Sequence, residues 1–265
     1  VTNLTQIIKK FEECHKFRLM IGVEFEFYII DSDLKKLECN KLSHIINILN
    51  HSFNCNNFTK EQGGSQVELA LNATYNINEL CYKLSFYKSR IKYILKLYNL
   101  YPVIEGQPFK DDCGSSLQLN FSLHDFNNNF TDDENIINNF CYKLLDATSE
   151  ISKFLYAKNS LNSKLRFNKE LNIVLYKKGK FCAPINLSYG YDNRTCLVRI
   201  AKSNINHKFK RIEYRGASCD VNIRLLILNL LKEIINLNKK ITNKYNIIYG
   251  NAFDEIYKLK PIFAE

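Results

Sequence analysis

Glu24 and Glu26 stand two positions apart inside IGVEFEFYII (residues 21–30), an otherwise apolar run of strand-forming residues. Alternate side chains of a strand point to opposite faces, so Val23, Phe25 and Phe27 share one face while Glu24, Glu26 and Tyr28 share the other. The same period recurs elsewhere. SQVELAL sets Gln66 and Glu68 against Val67 and Leu69, and SSLQLNFSL sets Gln118, Asn120 and Ser122 against Leu117, Leu119 and Phe121. RIEYR groups Arg211, Glu213 and Arg215 opposite Ile212 and Tyr214. An antiparallel sheet with one solvated face accounts for any one of these strands. It accounts poorly for the composition, because lysine is abundant in the chain yet these faces carry Glu, Gln, Asn and Arg. Two carboxylates about 4 Å apart repel by roughly 1 kcal/mol in water and about 4 kcal/mol at an effective dielectric near 20. A concave cluster of Glu24, Glu26, Glu68 and Glu213, joined by Glu61, would therefore have to take up protons or cations. Oxygen ligands of this kind suit hard divalent ions, and magnesium often bridges carboxylates to substrate phosphates. Arg194, Arg199, Arg211 and Arg215 supply forks for a carboxylate or phosphate. Acidic ligands beside arginines are the groups phosphoryl transfer needs, since its catalysis is mostly positioning and charge neutralisation. No Gly-rich phosphate loop is present, so a nucleotide would have to be held in another way.

The elements that must position these groups follow from periodicity. Helices are expected over residues 2–15, 41–53, 74–98, 132–157 and 220–245, and strands over 20–30, 65–71, 101–105, 115–123, 184–189, 194–201 and 210–215. The segment 159–182 has no clear period, while NNN at 127–129 and KKGK at 177–180 read as exposed turns. Strands interleaved with long helices give an α+β fold: a curved antiparallel sheet with helices packed on one face.

At 265 residues, 46% hydrophobic and 24% charged, the chain has a globular composition and enough length for a buried core. With nine Gly, four Pro and no evident linker, one domain spanning residues 1–265 is expected. The net charge of +10 raises the question of a nucleic-acid partner. Its lysines are scattered (Lys9, Lys10, Lys83, Lys88, Lys92, Lys239, Lys240), with no basic run and no nucleic-acid motif, so none is expected. Nine dispersed cysteines without a close pair argue for reduced thiols rather than a disulfide framework or structural zinc. No apolar run reaches membrane-spanning length and the N-terminal stretch does not resemble a signal peptide, so a cytoplasmic protein without a membrane partner is expected. The chain begins at Val1 rather than Met, which points to a truncated or alternative start. His15, His44, His51, His124 and His207 lie outside these patterns and read as structural or solvated residues.

Six segments, in order, resemble the catalytic domain of glutamine synthetase. IGVEFEFYI is similar to its E-x-E-F strand, EQGGSQVE (61–68) to E-x-G-P-G-Q-x-E, and GSSLQLNFSL (114–123) to G-S-G-x-H-x-H-x-S-L. NSKLR (162–166) resembles N-S-Y-K-R, NRTCLVRIA (193–201) resembles N-R-S-A-S-I-R-I-P, and RIEYR (211–215) resembles R-x-E-x-R. The resemblance implies a funnel-shaped site and an ATP-dependent ligase. The γ-phosphoryl of ATP would pass to a glutamate-like side-chain carboxylate, and ammonia or an amine would then displace phosphate. Carried over by position, Glu26, Glu61 and Glu68 would hold a Mg2+ or Mn2+ ion near the amino acid. Glu24, Glu213 and Gln118 would hold a second ion on the ATP phosphates. Arg166 and Arg215 would bind substrate carboxylates, Arg194 the transferring phosphoryl group, and Arg199, Arg211 and Asn120 would contact ATP. A homo-oligomer is a further implication.

The departures are specific. The family's small N-terminal β-grasp domain, which contributes an acidic residue to a neighbouring subunit, is expected to be missing. The metal-binding histidine falls on Gln118, a neutral ligand, and the next histidine on Asn120. The family's flap glutamate aligns with Cys182, whose thiol reads as incidental rather than reactive. The stretch between Glu26 and Glu61 is shorter than in the family, and that between Arg166 and Arg194 is longer. The alternative these losses suggest is a degenerate, non-catalytic homologue that binds nucleotide or amino acid, or serves as a partner subunit.

Overall fold

The computed structural model describes residues 3–131, 133–180, 183–201, 211–237 and 245–263. The chain runs α1 (Leu4–His15), β1 (Arg18–Ile30), α2 (Cys39–Ser52), β2 (Phe58–Lys60), β3 (Gln66–Thr74), α3 (Ile77–Lys96), β4 (Tyr101–Val103) and β5 (Ser116–His124). It continues with α4 (Glu134–Ile151), α5 (Leu161–Leu165), α6 (Lys169–Lys177), β6 (Tyr189–Tyr191), β7 (Val198–Ala201), β8 (Arg211–Ser218) and α7 (Ile223–Leu237). The strands form one curved eight-stranded sheet in the order β2-β3-β1-β5-β8-β7-β6, with β4 also pairing β1. All pairings are antiparallel except β6 with β7, which is parallel.

Alternation in the sequence becomes two faces of this sheet. Val23, Phe25, Phe27, Val67, Leu69, Leu117, Leu119, Phe121 and Ile212 are buried towards the helices. The apolar stripe of α7 (Ile223, Leu226, Ile227, Leu230, Leu231, Ile234) packs there with α1, α3 and α4, so one continuous core joins sheet and helices. Burying apolar side chains on one face only is what leaves the other face free for polar groups.

Local chemistry sets the element ends. Asn3 and Gln6 form a reciprocal cap on α1, and Asp133 caps α4. The helix expected from residue 74 begins only at Ile77, because Thr74 still pairs with Ile21 and Asn76 caps α3. The strand expected over 184–189 lies instead at β6, preceded by an isolated bridge between Asn186 and Pro261. The strand expected from 194 starts at Val198, because the Asn193 side chain accepts from Thr195 N and Oγ1 and closes a turn. The unassigned stretch 159–182 contains α5 and α6, and Asn127 and Asn129 sit in a turn closed on Asp125. Residues 238–244 of the expected last helix lie outside the described residues.

Candidate active site

Strand register brings the acidic positions together. Glu26 faces Glu68 across β1 and β3, Glu24 faces Gln118 across β1 and β5, and Glu213 of β8 faces both Asn120 and Arg199. Glu61 joins them from the turn after β2, which the Gln66 carbonyl and side chain close against Glu61 N and Gly63 N. Gly63 packs against the Tyr28 ring so closely that no side chain would fit there.

Glu26, Glu61 and Glu68 each offer a carboxylate oxygen within 4.8 Å of the others. Among the described residues, no Lys or Arg lies within 4.0 Å of any of the three. Glu26 is held by Ser116 N (2.8 Å) and Gln118 Nε2 (2.9 Å). Its pKa is raised, first by burial and then by repulsion from Glu61. Glu68 is pushed up to about 8, first by burial and then by Glu24, Glu26 and Glu61. A buried carboxylate that repels its neighbours, with no described Lys or Arg within 4.0 Å and only the more distant Arg166 charge to offset it, fits a hard divalent ion held by oxygen ligands.

The other carboxylates have different company. Glu213 accepts from Arg199 Nη1 (2.8 Å) and Arg215 Nη1 (2.5 Å), with Arg211 Nη2 at 3.5 Å. Burial would raise its pKa, but Arg215, Arg199 and Arg211 hold it below the usual carboxylate range. Glu24 has Asn120 Nδ2 at 3.1 Å and Arg211 Nη2 at 3.7 Å; burial and then Glu213 still raise its pKa. Gln118 turns its amide oxygen to Arg215 Nη1 (3.1 Å) and its nitrogen to Glu26 and Ser116. The expected ligands of a second cation, Glu24, Gln118 and Glu213, are thus adjacent, but guanidinium groups engage them.

Glu26, Glu61, Gln118, Arg166, Arg194 and Arg215 line one small polar cavity of about 30 Å³, room for an ion or a water. Arg166 is 3% exposed, and its Nε and Nη1 have no partner although Nη2 donates to Arg215 O at 3.3 Å. Burial lowers its pKa to about 10. The unpartnered donors of a buried guanidinium at a cavity are matched by a carboxylate or phosphate. Arg194 also borders an adjoining cleft of about 500 Å³ lined by Tyr176, Tyr191 and Tyr249. Asn120 Oδ1 is likewise buried without a partner. Cys182 lies outside the described residues.

Sequence reasoning passed over Asp112. Its nearly buried carboxylate accepts from Lys36 Nζ (2.8 Å), Gly64 N (2.8 Å), Lys180 Nζ (3.0 Å) and Cys113 N (2.9 Å). Burial would raise its pKa, but those donors hold it far below the ordinary range. Asp220, which accepts from Ser163 Oγ at 2.6 Å, anchors the start of the α5 segment carrying Arg166 in the same way. The signal for both was only an acidic residue beside a motif.

The sequence matches the family described as glutamine synthetase, catalytic domain, over residues 38–236. No curated protein matches it. Among solved structures, ligand-free GmaS superposes with a TM-score of 0.72 at 16% identity, covering 97% of this chain and 63% of that one. The GmaS/ADP complex superposes at 0.69 with 15% identity, covering 97% and 64%. Plasmodium falciparum glutamine synthetase superposes at 0.66 with 18% identity, covering 88% and 55%. The chain therefore spans under two thirds of the length of each, and at these identities the likeness shows the fold alone.

Proposed function

Because this chain belongs to the family of glutamine synthetase catalytic domains, we propose that it is an ATP-dependent ligase acting on a glutamate-like side-chain carboxylate, with ammonia or an amine as acceptor. The observation that carries this reading is the acidic trio Glu26, Glu61 and Glu68, with no described Lys or Arg within 4.0 Å, of which Glu26 and Glu61 share one cavity with the half-unpaired Arg166.

Glu26, Glu61 and Glu68 would hold a Mg2+ or Mn2+ ion, which when bound neutralises charge on phosphate and carboxylate oxygens. Arg166, with Nε and Nη1 free to donate, binds a substrate carboxylate beside Arg215. Arg194, reaching the cavity from the adjoining cleft, balances charge on the phosphoryl group in transfer. Arg199, Arg211 and Asn120 meet ATP, with Asn120 Oδ1 as the open acceptor. The bond from the γ-phosphorus to the bridging oxygen breaks as the substrate carboxylate oxygen bonds phosphorus, leaving ADP. The amine nitrogen then bonds the acyl carbon and gives up a proton, and inorganic phosphate departs with the electrons of the broken C–O bond and takes up that proton. A cytoplasmic location and a homo-oligomer accompany the reading, as does a single domain over residues 1–265; no described helix is long and apolar enough to cross a membrane.

The neutral Gln118 and the arginines around Glu213 favour a second reading, a homologue that binds nucleotide or amino acid without turnover. ADP release with ATP, Mg2+ or Mn2+, glutamate and an acceptor panel including ammonia, hydroxylamine and small alkylamines separates the two. The ligase reading expects acceptor-dependent ADP release. No ADP with any acceptor, while nucleotide still binds, overturns it in favour of the second.

A further inference from the structure

We infer that this protein itself holds one divalent cation rather than two, because the Arg215 guanidinium bridges Gln118 and Glu213 at the place a second cation would need. This rests on the metal site proposed above and concerns the stoichiometry of that site.

Arg215 lies two positions after Glu213 on β8, so both side chains share a face, and Nη1 reaches Glu213 Oε1 at 2.5 Å and Gln118 Oε1 at 3.1 Å. One donor nitrogen therefore touches two of the oxygens that a second ion would have to collect. The amide of Gln118 is committed at its other end too, because Nε2 donates to Glu26 Oε1 at 2.9 Å and Ser116 Oγ at 3.0 Å. A glutamine ligand must give its oxygen to the ion, and that oxygen is already taken.

Charge balance separates the two halves of the site. Around Glu24 and Glu213, Arg199, Arg211 and Arg215 approach within 4.0 Å of a carboxylate oxygen, and Arg199 also pairs with Asp192 at 3.2 Å, so three fixed cations already balance three anions. A divalent ion placed there would enter a region whose carboxylates are already neutralised by guanidinium groups, and a neutral amide in Gln118 adds no charge to attract it. Around Glu26, Glu61 and Glu68, three carboxyl groups face no fixed cation within that distance among the described residues. Breaking the Glu213 pairs would also take from Arg215 its carboxylate partner in a mostly buried place, since Glu213 is 2% and Arg215 6% exposed. A dication on the trio costs none of this. The arginine side is instead suited to anionic oxygens arriving from outside, such as nucleotide phosphates.

The test is an equilibrium titration of the full, nucleotide-free chain with Mn2+, following free ion by its electron paramagnetic resonance signal. One ion per chain is expected, and E26Q should abolish it. Two ions with affinities within tenfold of each other overturn the inference. No bound ion overturns the metal site on which the inference rests, a distinct result. The Q118H/R215M double variant, checked for folding by its denaturation midpoint, should take a second ion. If it folds and still takes one, Arg215 is not the group that excludes the second, and that assignment is overturned.

Discussion

Glu68 sits among four other carboxylates of the site, Glu24, Glu26, Glu61 and Glu213, and its chemistry follows from that crowd. Its pKa is lifted from an ordinary 4.5 to about 8, by burial first and then by Glu24, Glu26, Glu61 and Glu213. The native state thus keeps a proton on Glu68 over a range where the unfolded chain has released it. Its contribution to stability is present in full below about pH 4.5 and is lost as pH rises through about 8. Denaturation midpoints of metal-free protein between pH 5 and pH 8 should therefore fall more steeply for wild type than for E68Q. Equal slopes for the two proteins would show that the carboxylate crowd is not felt. Glu24, Glu26, Glu68, Gln118 and Glu213 were legible in the sequence because strand alternation alone puts them on one face. Their division into a trio with no described cation in salt-bridge reach and an arginine-clamped pair was not, because it depends on which guanidinium reaches which oxygen across β5, β7 and β8. The role of Asp112 was hidden for the same reason, since its partners Lys36, Gly64 and Lys180 are far apart in the chain.

At the level of elements, Asp112 ties three loops together beside the cavity, next to the lining residue Cys113. It holds the Glu61 turn through Gly64 N, the segment after β1 through Lys36 and the segment after α6 through Lys180. Gln62 Nε2 adds a bond to Gly179 O at 3.0 Å across the same seam. Breaking a buried charge pair by removing one partner costs roughly 3–5 kcal/mol, with less expected here because both lysines are partly exposed. D112N should lower unfolding free energy by about 2 kcal/mol and weaken Mn2+ binding about tenfold by releasing the Glu61 turn. Urea titration and Mn2+ titration read the two effects, and intact Mn2+ affinity would mean the turn stands without its anchor. The long elements were legible because thirteen-residue β1 and twenty-residue α3 carry enough periods to define a face. The short ones were read less well. Three-residue β4 fell inside the strand expected over 101–105, but β2 and β6 contain too few alternations, and the strand expected from 194 was cut back by the Asn193 turn.

Across the whole molecule, the site is built on strands that also carry the main core, so ligand binding and folding are coupled. Glu26 and Glu68 lie on β1 and β3, whose opposite faces bury Phe25, Phe27, Val67 and Leu69. The α+β layering was readable from the order of helical and alternating segments; the parallel β6–β7 pair was not, because a three-residue strand leaves no trace of its direction. A cation that binds only the folded chain adds RT ln(1 + [L]/Kd), about 2.7 kcal/mol at a hundredfold excess over Kd. For a chain of this size each kcal/mol moves Tm by roughly 2–4 °C, so saturating Mg2+ or Mn2+ should raise Tm by about 5–10 °C and EDTA should reverse it. E26Q should lose the increment. The denaturant m-value should stay the same with and without cation, because the sheet holding the trio is already formed by the core. A larger m-value with cation would instead mean that the metal assembles the strands, and the carboxylates would then be held apart by their own repulsion until it arrives.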